Sequence, residues 1–504
     1  MKTDQKRFGV LLAALLSVAV LCVLLCAGCG KTEPQTTNLP EATEPAIADG
    51  AANPVAAADG ATVSFDPAGL SFTGTVEKGY FDALTAAYGE DHVKVGFLCA
   101  PTDSLVGNNV TPSNEKAVKL EAGSYQAGAD AYRFTCTLTG IQEKDYDKKY
   151  SAVAYVEVYG KILRCSTYSA QRNTISLTLA ADAAYADLKD AEAGAYRHAV
   201  TVGDATKYSP YTAEQREQLF TYRFPNAFTV MSYNVEAYDL EDQWEGRNPD
   251  KALDIILEES PDIVGLQEIN EEWNPKIVTL ARAGGYTRLV GEYSEDRFEK
   301  NEILFKASKF VKIDEGTKIY KQLGAEMNIP NTENVDMAVD NHGRAFHYAV
   351  LEQKATGKKI LFVNTHLHYG GTGGGHEEDD KMRRYQIRVL MAWMAEQAAT
   401  YPDQIVTGDM NSNYTSVQGG LNMKVFEDGG FAMTLKSAEK KLDVEGTLTA
   451  MSRFGRETRY VFDYVLTKGD FGIATYTVVD KKTDNDGASY PSDHLPVMAK
   501  MCLR

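Results

Sequence analysis

The chain has 504 residues, too many for one compact core, so two domains plus accessory segments are expected. Its composition is that of an ordinary globular protein, but 70 acidic against 52 basic residues give a formal net charge of −18. That balance argues against a protein that grips nucleic acid with a broad basic face. It does not exclude a nuclease, because a bound metal ion can carry the positive charge the substrate needs.

The N-terminus has an export layout. Lys2, Lys6 and Arg7 precede an apolar run from about Val10 to Leu25, which ends in Cys26-Ala-Gly-Cys29. A cysteine after Ala27 and Gly28 resembles the lipobox of bacterial lipoproteins, although Cys26 stands where that pattern usually has leucine. The resemblance implies cleavage before Cys29, lipidation of its thiol and a membrane-anchored, extracytoplasmic protein. A plain transmembrane anchor is the alternative, and it places the rest of the chain outside the cytoplasm as well. Of the seven cysteines, Cys22, Cys26 and Cys29 belong to this segment. Cys99, Cys136, Cys165 and Cys502 show no metal-like spacing. They are open to either reading, disulfides or small buried thiols.

Residues 30–60 are Thr, Pro, Ala, Glu and Gly with almost no large apolar side chain, and they read as a disordered linker. A β-rich accessory domain follows over 61–206. Tyr132–Leu138 alternates apolar and polar residues, Ala152–Tyr159 is β-branched and aromatic, and Phe81–Tyr88 is a helix. Glycine and asparagine turns separate these pieces, which suggests a small β-sandwich. Gly96–Asp103 and Tyr150–Glu157 resemble an accessory module of secreted proteins from Gram-positive bacteria; the resemblance carries no activity with it, and the domain reads as a spacer or surface-adhesion module. A helical connector spans 207–227.

From Phe228 to the end the pattern changes. Strand-like runs fall at Phe228–Tyr233, Ile263–Gln267, Ile303–Phe305, Phe346–Leu351, Ile360–Thr365, Ile405–Thr407, Phe462–Leu466 and Pro496–Met501. Helical periodicity marks Pro249–Glu259 and Lys381–Ala399, the latter with an Ile387, Leu390, Met391 and Met394 stripe. Strands mixed with covering helices predict a layered α/β domain over 228–504.

Polar residues collect at the ends of these runs. Asn234 follows Met231-Ser-Tyr, and Glu268 follows Val264-Gly-Leu-Gln. His366 lies in Asn364-Thr-His-Leu367, and Asp409 and Asn411 lie in Gly408-Asp-Met-Asn411. Asp463 stands in Phe462-Asp-Tyr-Val465, and Asp493 and His494 in Ser492-Asp-His-Leu-Pro496. Singly, such residues are ordinary turn or surface groups. A hard cation such as Mg²⁺ needs only one or two carboxylates, and an imidazole titrates near neutral pH, so the set is equipped for metal-assisted hydrolysis.

In their joint order these motifs resemble the endonuclease/exonuclease/phosphatase superfamily. The resemblance implies a four-layered α/β/β/α sandwich with its site at the open edge of two packed sheets. It also implies Asn234, Glu268 and Asp493 as metal ligands for Mg²⁺, with Mn²⁺ or Ca²⁺ as alternatives. His366 and Asn411 would donate to phosphate oxygens, Asp409 would orient or deprotonate the attacking water, and Asp463 would orient His494 as general acid/base. The division of labour between Asp409 and His494 stays open. Arg344, in Gly343-Arg-Ala-Phe346, and Asn301 are implied phosphate contacts, with an exposed charge at a strand start as the other reading of Arg344. The arginine that often precedes the Asp-Tyr by two residues is Val461 here, leaving Arg459 as its substitute.

The loop Gly370–Asp380 is glycine-rich and then acidic. It reads as an approach to a helix whose first turn is acidic, which suits the helix dipole. A flap holding a second metal through His368, His376 or the carboxylates is the sharper reading. The function expected is hydrolysis of a phosphate ester by a monomeric enzyme on the outer face of the membrane. The substrate is a small molecule, a lipid head group or DNA, and an extracellular deoxyribonuclease is the alternative. A non-catalytic surface-binding protein is the alternative from another class.

Overall fold

The computed structural model describes residues 41–107, 109–187, 189, 211–235, 249–269, 273–291, 300–335, 344–370, 377–443, 446–448, 459–482 and 490–504. The lipobox with Cys29, and His376 in the glycine-rich loop, lie outside these residues.

Two sheets build the N-terminal domain. One runs β1 (Val55–Ala57), β3 (Ala68–Glu77), β7 (Ala131–Thr139) and β6 (Tyr125–Ala127), with β2 (Thr62–Phe65) on β3. The other runs β10 (Thr174–Ile175), β8 (Tyr150–Val158), β4 (Val93–Pro101) and β5 (Val118–Glu121), with β9 (Lys161–Cys165) on β8. Phe72, Phe97 and Phe134 meet between them, with ring centroids 5.6 and 5.8 Å apart along the series. The predicted helix is present, extended to Lys78–Tyr88.

The disordered-linker reading fails over 41–60. Ala42 is buried, Glu44 pairs with Arg164 at 2.6 Å, and Val55–Ala57 adds to the edge of β3. Edge pairing uses backbone groups that any residue supplies, so a low apolar content does not forbid it. The connector is similarly absorbed: Leu219 and Tyr222 of helix Ala213–Arg223 join the N-terminal core.

The C-terminal domain is two sheets back to back. The first runs β13 (Tyr286–Leu289), β14 (Lys300–Lys306), β12 (Ile263–Ile269), β11 (Phe228–Asn234), β23 (Val497–Leu503), β22 (Phe471–Val478) and β20 (Lys440–Lys441). The second runs β15 (Phe310–Ile319), β16 (Ala345–Gln353), β17 (Lys359–His366), β18 (Gln404–Asp409), β21 (Asp463–Lys468) and β19 (Ala432–Met433). Helices Pro249–Glu259 and Asn274–Gly284 cover the outer face of the first sheet through a core of Ile256, Ile277, Val264 and Leu266. Helices Glu377–Gln397 and Val417–Asp428 cover the second. The helical stripe packs as expected, with Ile387, Leu390 and Met394 fully buried and Met391 partly so. The result is the expected four-layered α/β/β/α sandwich. Helix 377–397 begins with four acidic residues in its first turn, which matches the dipole reading of that segment.

Candidate active site

The predicted residues come from both sheets and meet at one edge. β11 ends at Asn234, and its parallel neighbour β12 carries Glu268 one position past the Asn234↔Gln267 pair. In the second sheet His366 pairs with Asp409, and Asp409 with Asp463, so three strands present three site residues in register. Asp493 and His494 sit immediately before β23, which lies beside β11.

Glu268 is not aimed by an ordinary strand. The pairing of β12 with β14 shifts between Leu266 and Ile269, and Glu268 adopts the left-handed conformation with φ 59°. That conformation is uncommon for a non-glycine residue and here takes the carboxylate out of the strand's alternation. Asn411 is also left-handed, at φ 45°, which asparagine tolerates well.

The contacts form one connected set. Asn234 Nδ2 donates to Glu268 Oε1 at 2.9 Å and to Asp409 Oδ2 at 3.1 Å, bridging the sheets. The Asn411 backbone N–H donates to Asp409 Oδ1 at 2.8 Å, and its side-chain amide reaches His366 Nε2 at 3.0 Å. With that amide donating, His366 Nε2 accepts and the ring proton sits on Nδ1, 3.9 Å from Glu268 Oε1. His494 Nδ1 donates to Asp463 Oδ2 at 2.8 Å. Its Nε2 lies 3.6 Å from Asp409 Oδ2 and 3.8 Å from Asp493 Oδ1.

Burial sorts the roles. Asp463 and Asp409 lie at the bottom, 0% and 1% exposed, while Glu268 and Asp493 remain open to solvent on one side. Burial opposes a charge on His494, but the carboxylates of Asp463, Asp493 and Asp409 outweigh it and hold the imidazole well above its ordinary pKa. Burial pushes the Asp463 carboxyl up, while His494 works in the opposite direction.

The donor set fits a hard divalent cation. Glu268, His366 and Asp409 each offer a ligand atom, and these atoms lie within 4.8 Å of one another. Asp409, Asp463 and His494 form a second such group, but its His494–Asp463 pair is already closed by a hydrogen bond. Carboxylate oxygens without any thiol favour Mg²⁺-, Mn²⁺- or Ca²⁺-type ions over softer metals.

The remaining predicted residues fall as follows. Arg344 is not an exposed charge: it is buried at the start of β16, and its carbonyl accepts from Tyr320 N at 3.0 Å. Asn301 Nδ2 donates to Ala345 O at 2.9 Å, a bond between the two sheets beside Arg344. Val461 is a core residue, and the Arg459 guanidinium lies 5.5 Å from the centre of the Tyr460 ring. His368 Nε2 is 3.1 Å from Asp379 Oδ1, and neither belongs to a metal-competent group among the described residues.

Four supporting residues were not singled out from sequence. Ser492 Oγ donates to Asn234 O at 2.8 Å and accepts from His494 N at 3.0 Å, tying two motifs together. It had a signal, since it opens the Ser-Asp-His motif. Thr447 Oγ1 accepts from Phe462 N at 3.0 Å beside Asp463, and nothing around it in sequence marks it. Gln267 and Asn364 are buried polar residues within quoted motifs, bonded to each other at 2.6 Å.

Two packed sheets with carboxylates and imidazoles gathered at their shared edge define a hydrolase of the layered α/β/β/α type. The chain belongs to the Endonuclease/Exonuclease/phosphatase family, whose sequence profile it matches over residues 231–494. Members of this family are hydrolases acting on phosphoester bonds. Among relatives, the CCR4-Not complex 3'-5'-exoribonuclease subunit Ccr4 of Yarrowia lipolytica is 25% identical over 251 residues, 44% of this chain and 35% of the relative. The chain therefore matches about a third of that protein's length. Among solved structures, a mannosyl-6-phosphatase of Bacteroides thetaiotaomicron is 19% identical, with a TM-score of 0.44 over 55% of this chain and all (100%) of that one. TDP2 of D. rerio complexed with a single-strand DNA product is 16% identical, with a TM-score of 0.41 over 55% of this chain and 98% of that one.

Proposed function

We propose that this chain is a divalent-metal-dependent phosphoesterase that works outside the cytoplasm, with Mg²⁺ as the ion and a small phosphorylated molecule as substrate. The observation that carries the reading is the convergence of Asn234, Glu268, His366, Asp409, Asn411, Asp463, Asp493 and His494 on one sheet edge, linked by contacts of 2.8–3.9 Å.

Glu268, with Asn234 bonded to it and Asp493 as a further ligand, would hold the cation at the solvent side of the site. The ion supplies Lewis-acid stabilisation of the charge that builds on the phosphoryl oxygens. Asp409 is buried and held by Asn234 and Asn411, so its carboxylate is fixed for orienting the attacking water. His494, protonated and aligned by Asp463, can deliver a proton from Nε2 to the leaving oxygen. His366 and Asn411 lie beside Asp409 as donors to the phosphate oxygens. Attack would be in line, without a covalent enzyme intermediate.

The acidic balance supports a small substrate over a long polyanion. A nuclease is the second reading, favoured by the exoribonuclease relative at 25% identity. The location rests on the N-terminal segment: lipidated Cys29 would anchor a monomer to the membrane, and Cys29→Ser should move the protein from the membrane to the soluble fraction. No helix among the described residues is long and apolar enough to cross a membrane.

The test is hydrolysis by soluble protein beginning at Glu41, so that the segment packed on the N-terminal domain is kept. Sugar and inositol phosphates, sphingomyelin and plasmid DNA would be offered with Mg²⁺, Mn²⁺, Ca²⁺ or EDTA. Turnover of a small phosphate ester that EDTA abolishes is the expected result. Turnover of DNA alone would select the nuclease reading, and no turnover in any metal would favour a binding protein.

A further inference from the structure

The site is split between two sheets. Asn234 and Glu268 belong to the first, with Asp493 and His494 on the loop that leads into its β23, whereas His366, Asp409 and Asp463 belong to the second. Most of what fills the space between the sheets is apolar, including Val230, Ile263, Phe362 and Ile405. Apolar packing is non-directional, so it brings the sheets together without fixing where one half of a site stands against the other.

One layer breaks this rule, directly under the site. Ser232, Gln267, Asn364 and Thr407 are all 0% exposed. Gln267 Nε2 donates to Asn364 Oδ1 at 2.6 Å and to Ser232 Oγ at 3.2 Å. Thr407 Oγ1 donates to the same Asn364 oxygen at 3.2 Å. Asn364 Nδ2 crosses from β17 to the other sheet, donating to Leu266 O at 2.8 Å and Glu302 O at 2.9 Å.

The spacing ties this layer to the chemistry. Ser232, Asn364 and Thr407 each stand two residues before a site residue on their own strands, namely Asn234, His366 and Asp409. In a strand that interval places both side chains on one face, about 7 Å apart. Gln267 immediately precedes Glu268, and Leu266, whose carbonyl Asn364 holds, is where the register shift that redirects Glu268 begins. Gly265 leaves room for the layer: a Cβ there would stand 2.3 Å from Thr407 Oγ1 and 2.5 Å from Asn364 Oδ1. Burying four polar side chains is costly unless their bonds are made, and an apolar layer would avoid that cost altogether. Directional register is what the polar layer adds.

We propose that Asn364, with Gln267, Thr407 and Ser232, is an inter-sheet positioning device that fixes the metal-holding Glu268 against the His366–Asp409 half of the active site. This rests on the metal-dependent reading above. These are positioning residues, since they touch neither substrate nor ion.

The experiment compares Asn364→Leu, Thr407→Val and Thr407→Ser with the parent for Mn²⁺ affinity, counted as free ion by electron paramagnetic resonance without substrate. Unfolding by urea and the metal dependence of kcat are measured on the same samples. Mn²⁺ affinity should fall about 10- to 100-fold in Asn364→Leu, the range seen when groups orienting metal ligands are removed. Thr407→Val should lose several-fold, and Thr407→Ser should restore most of that loss. Lowered stability with parental Mn²⁺ affinity in every variant would overturn the proposal, because the layer would then be core and nothing more. Should Asn364→Leu fail to fold, the Thr407 pair decides, since Thr407→Val replaces the hydroxyl by a methyl and Thr407→Ser keeps the hydroxyl. A parent that binds no Mn²⁺ would bring down the metal-site reading itself, and the positioning role with it. That outcome is visible before any variant is made.

Discussion

His494 and Asp463 are tied to each other before any substrate arrives. The 2.8 Å bond fixes the imidazole with its Nδ1 proton toward Asp463 and leaves Nε2 facing Asp409 and Asp493. Replacing Asp463 by Asn should keep the volume but put an amide donor or a weak acceptor against Nδ1, favouring the wrong tautomer. We expect kcat to fall on the order of 10²-fold or more, with a near-parental melting curve, in any metal-activated phosphoester assay. His494→Ala should lose about 10²–10⁴-fold, the usual contribution of a general acid. Equal activity in His494→Ala and the parent would remove the histidine from the mechanism. Glu268→Ala belongs to a different test, since its loss should appear first as weaker metal activation. The thiols give a prediction outside the site. Cys99, Cys136, Cys165 and Cys502 are unbridged, and burial pushes all four thiols up, Cys136 to about 11. Iodoacetamide at neutral pH should leave them unmodified in the native protein starting at Glu41 and alkylate all four after denaturation.

Elements carried by apolar runs were legible in the sequence, and elements made by tertiary pairing were not. β11, β17 and β18 are buried on both faces over nearly their whole length and read as apolar runs. β15 is an edge strand whose residues from Val311 to Glu315 are exposed, so it shows no alternation, and no strand is visible there in the sequence. The register shift in β12 was equally hidden: Gln267 and Glu268 read as successive strand residues, and only the pairing with β14 shows Glu268 turned out of line. The site residues were legible because their motifs occur in a fixed order, whereas Thr447 reaches Phe462 and Asp463 from a separate loop. Helix 377–397 illustrates a contact of this second kind. Arg384 and Arg388 both grip Glu333, at 2.9 and 2.6 Å, and so pin the segment around Val335 to the helix. Burial works against the Glu333 charge, but the two arginines outweigh it and hold the carboxyl below the ordinary glutamate value. A depressed pKa stabilises the fold above the unfolded-state value, about 4.3, and that contribution is lost as pH falls through the folded value. Glu333→Gln should therefore cost about 1 kcal/mol at pH 7. Its gap from the parent in urea unfolding should close below about pH 4, and a gap constant across that range would show that charge is not the source.

The N-terminal domain docks on the end of the sandwich opposite the site. β11 begins at Phe228 by the connector and ends at Asn234, and β17 begins beside Lys358 and ends at His366. β23 runs the other way, from just after His494 to Leu503. Each strand spans about 20 Å at 3.3 Å per residue, so the interface and the chemistry are separated by the full depth of the sheets. At the interface, Lys358 pairs with Asp147 at 3.1 Å, and Arg504 with Asp182 at 3.1 Å. Arg223 is its centre: nearly buried, it bonds Asp182 at 2.8 Å, grips Glu439 with both Nη groups and stacks 3.7 Å from the Tyr185 ring centre. Phe224, next in sequence, packs on Ala474 and Cys502 of the catalytic sheet. Removing one partner of such a network leaves the others buried without their counter-charge, so Arg223→Ala should cost about 3 kcal/mol. Because no strand end at the interface carries a site residue, the folded variant should hydrolyse its substrate with parental kcat and metal dependence. A lower urea midpoint with unchanged kcat would identify the N-terminal domain as a rigid mount for the enzyme. A fall in kcat at full native signal would show instead that the mount reaches the chemistry through the strands themselves.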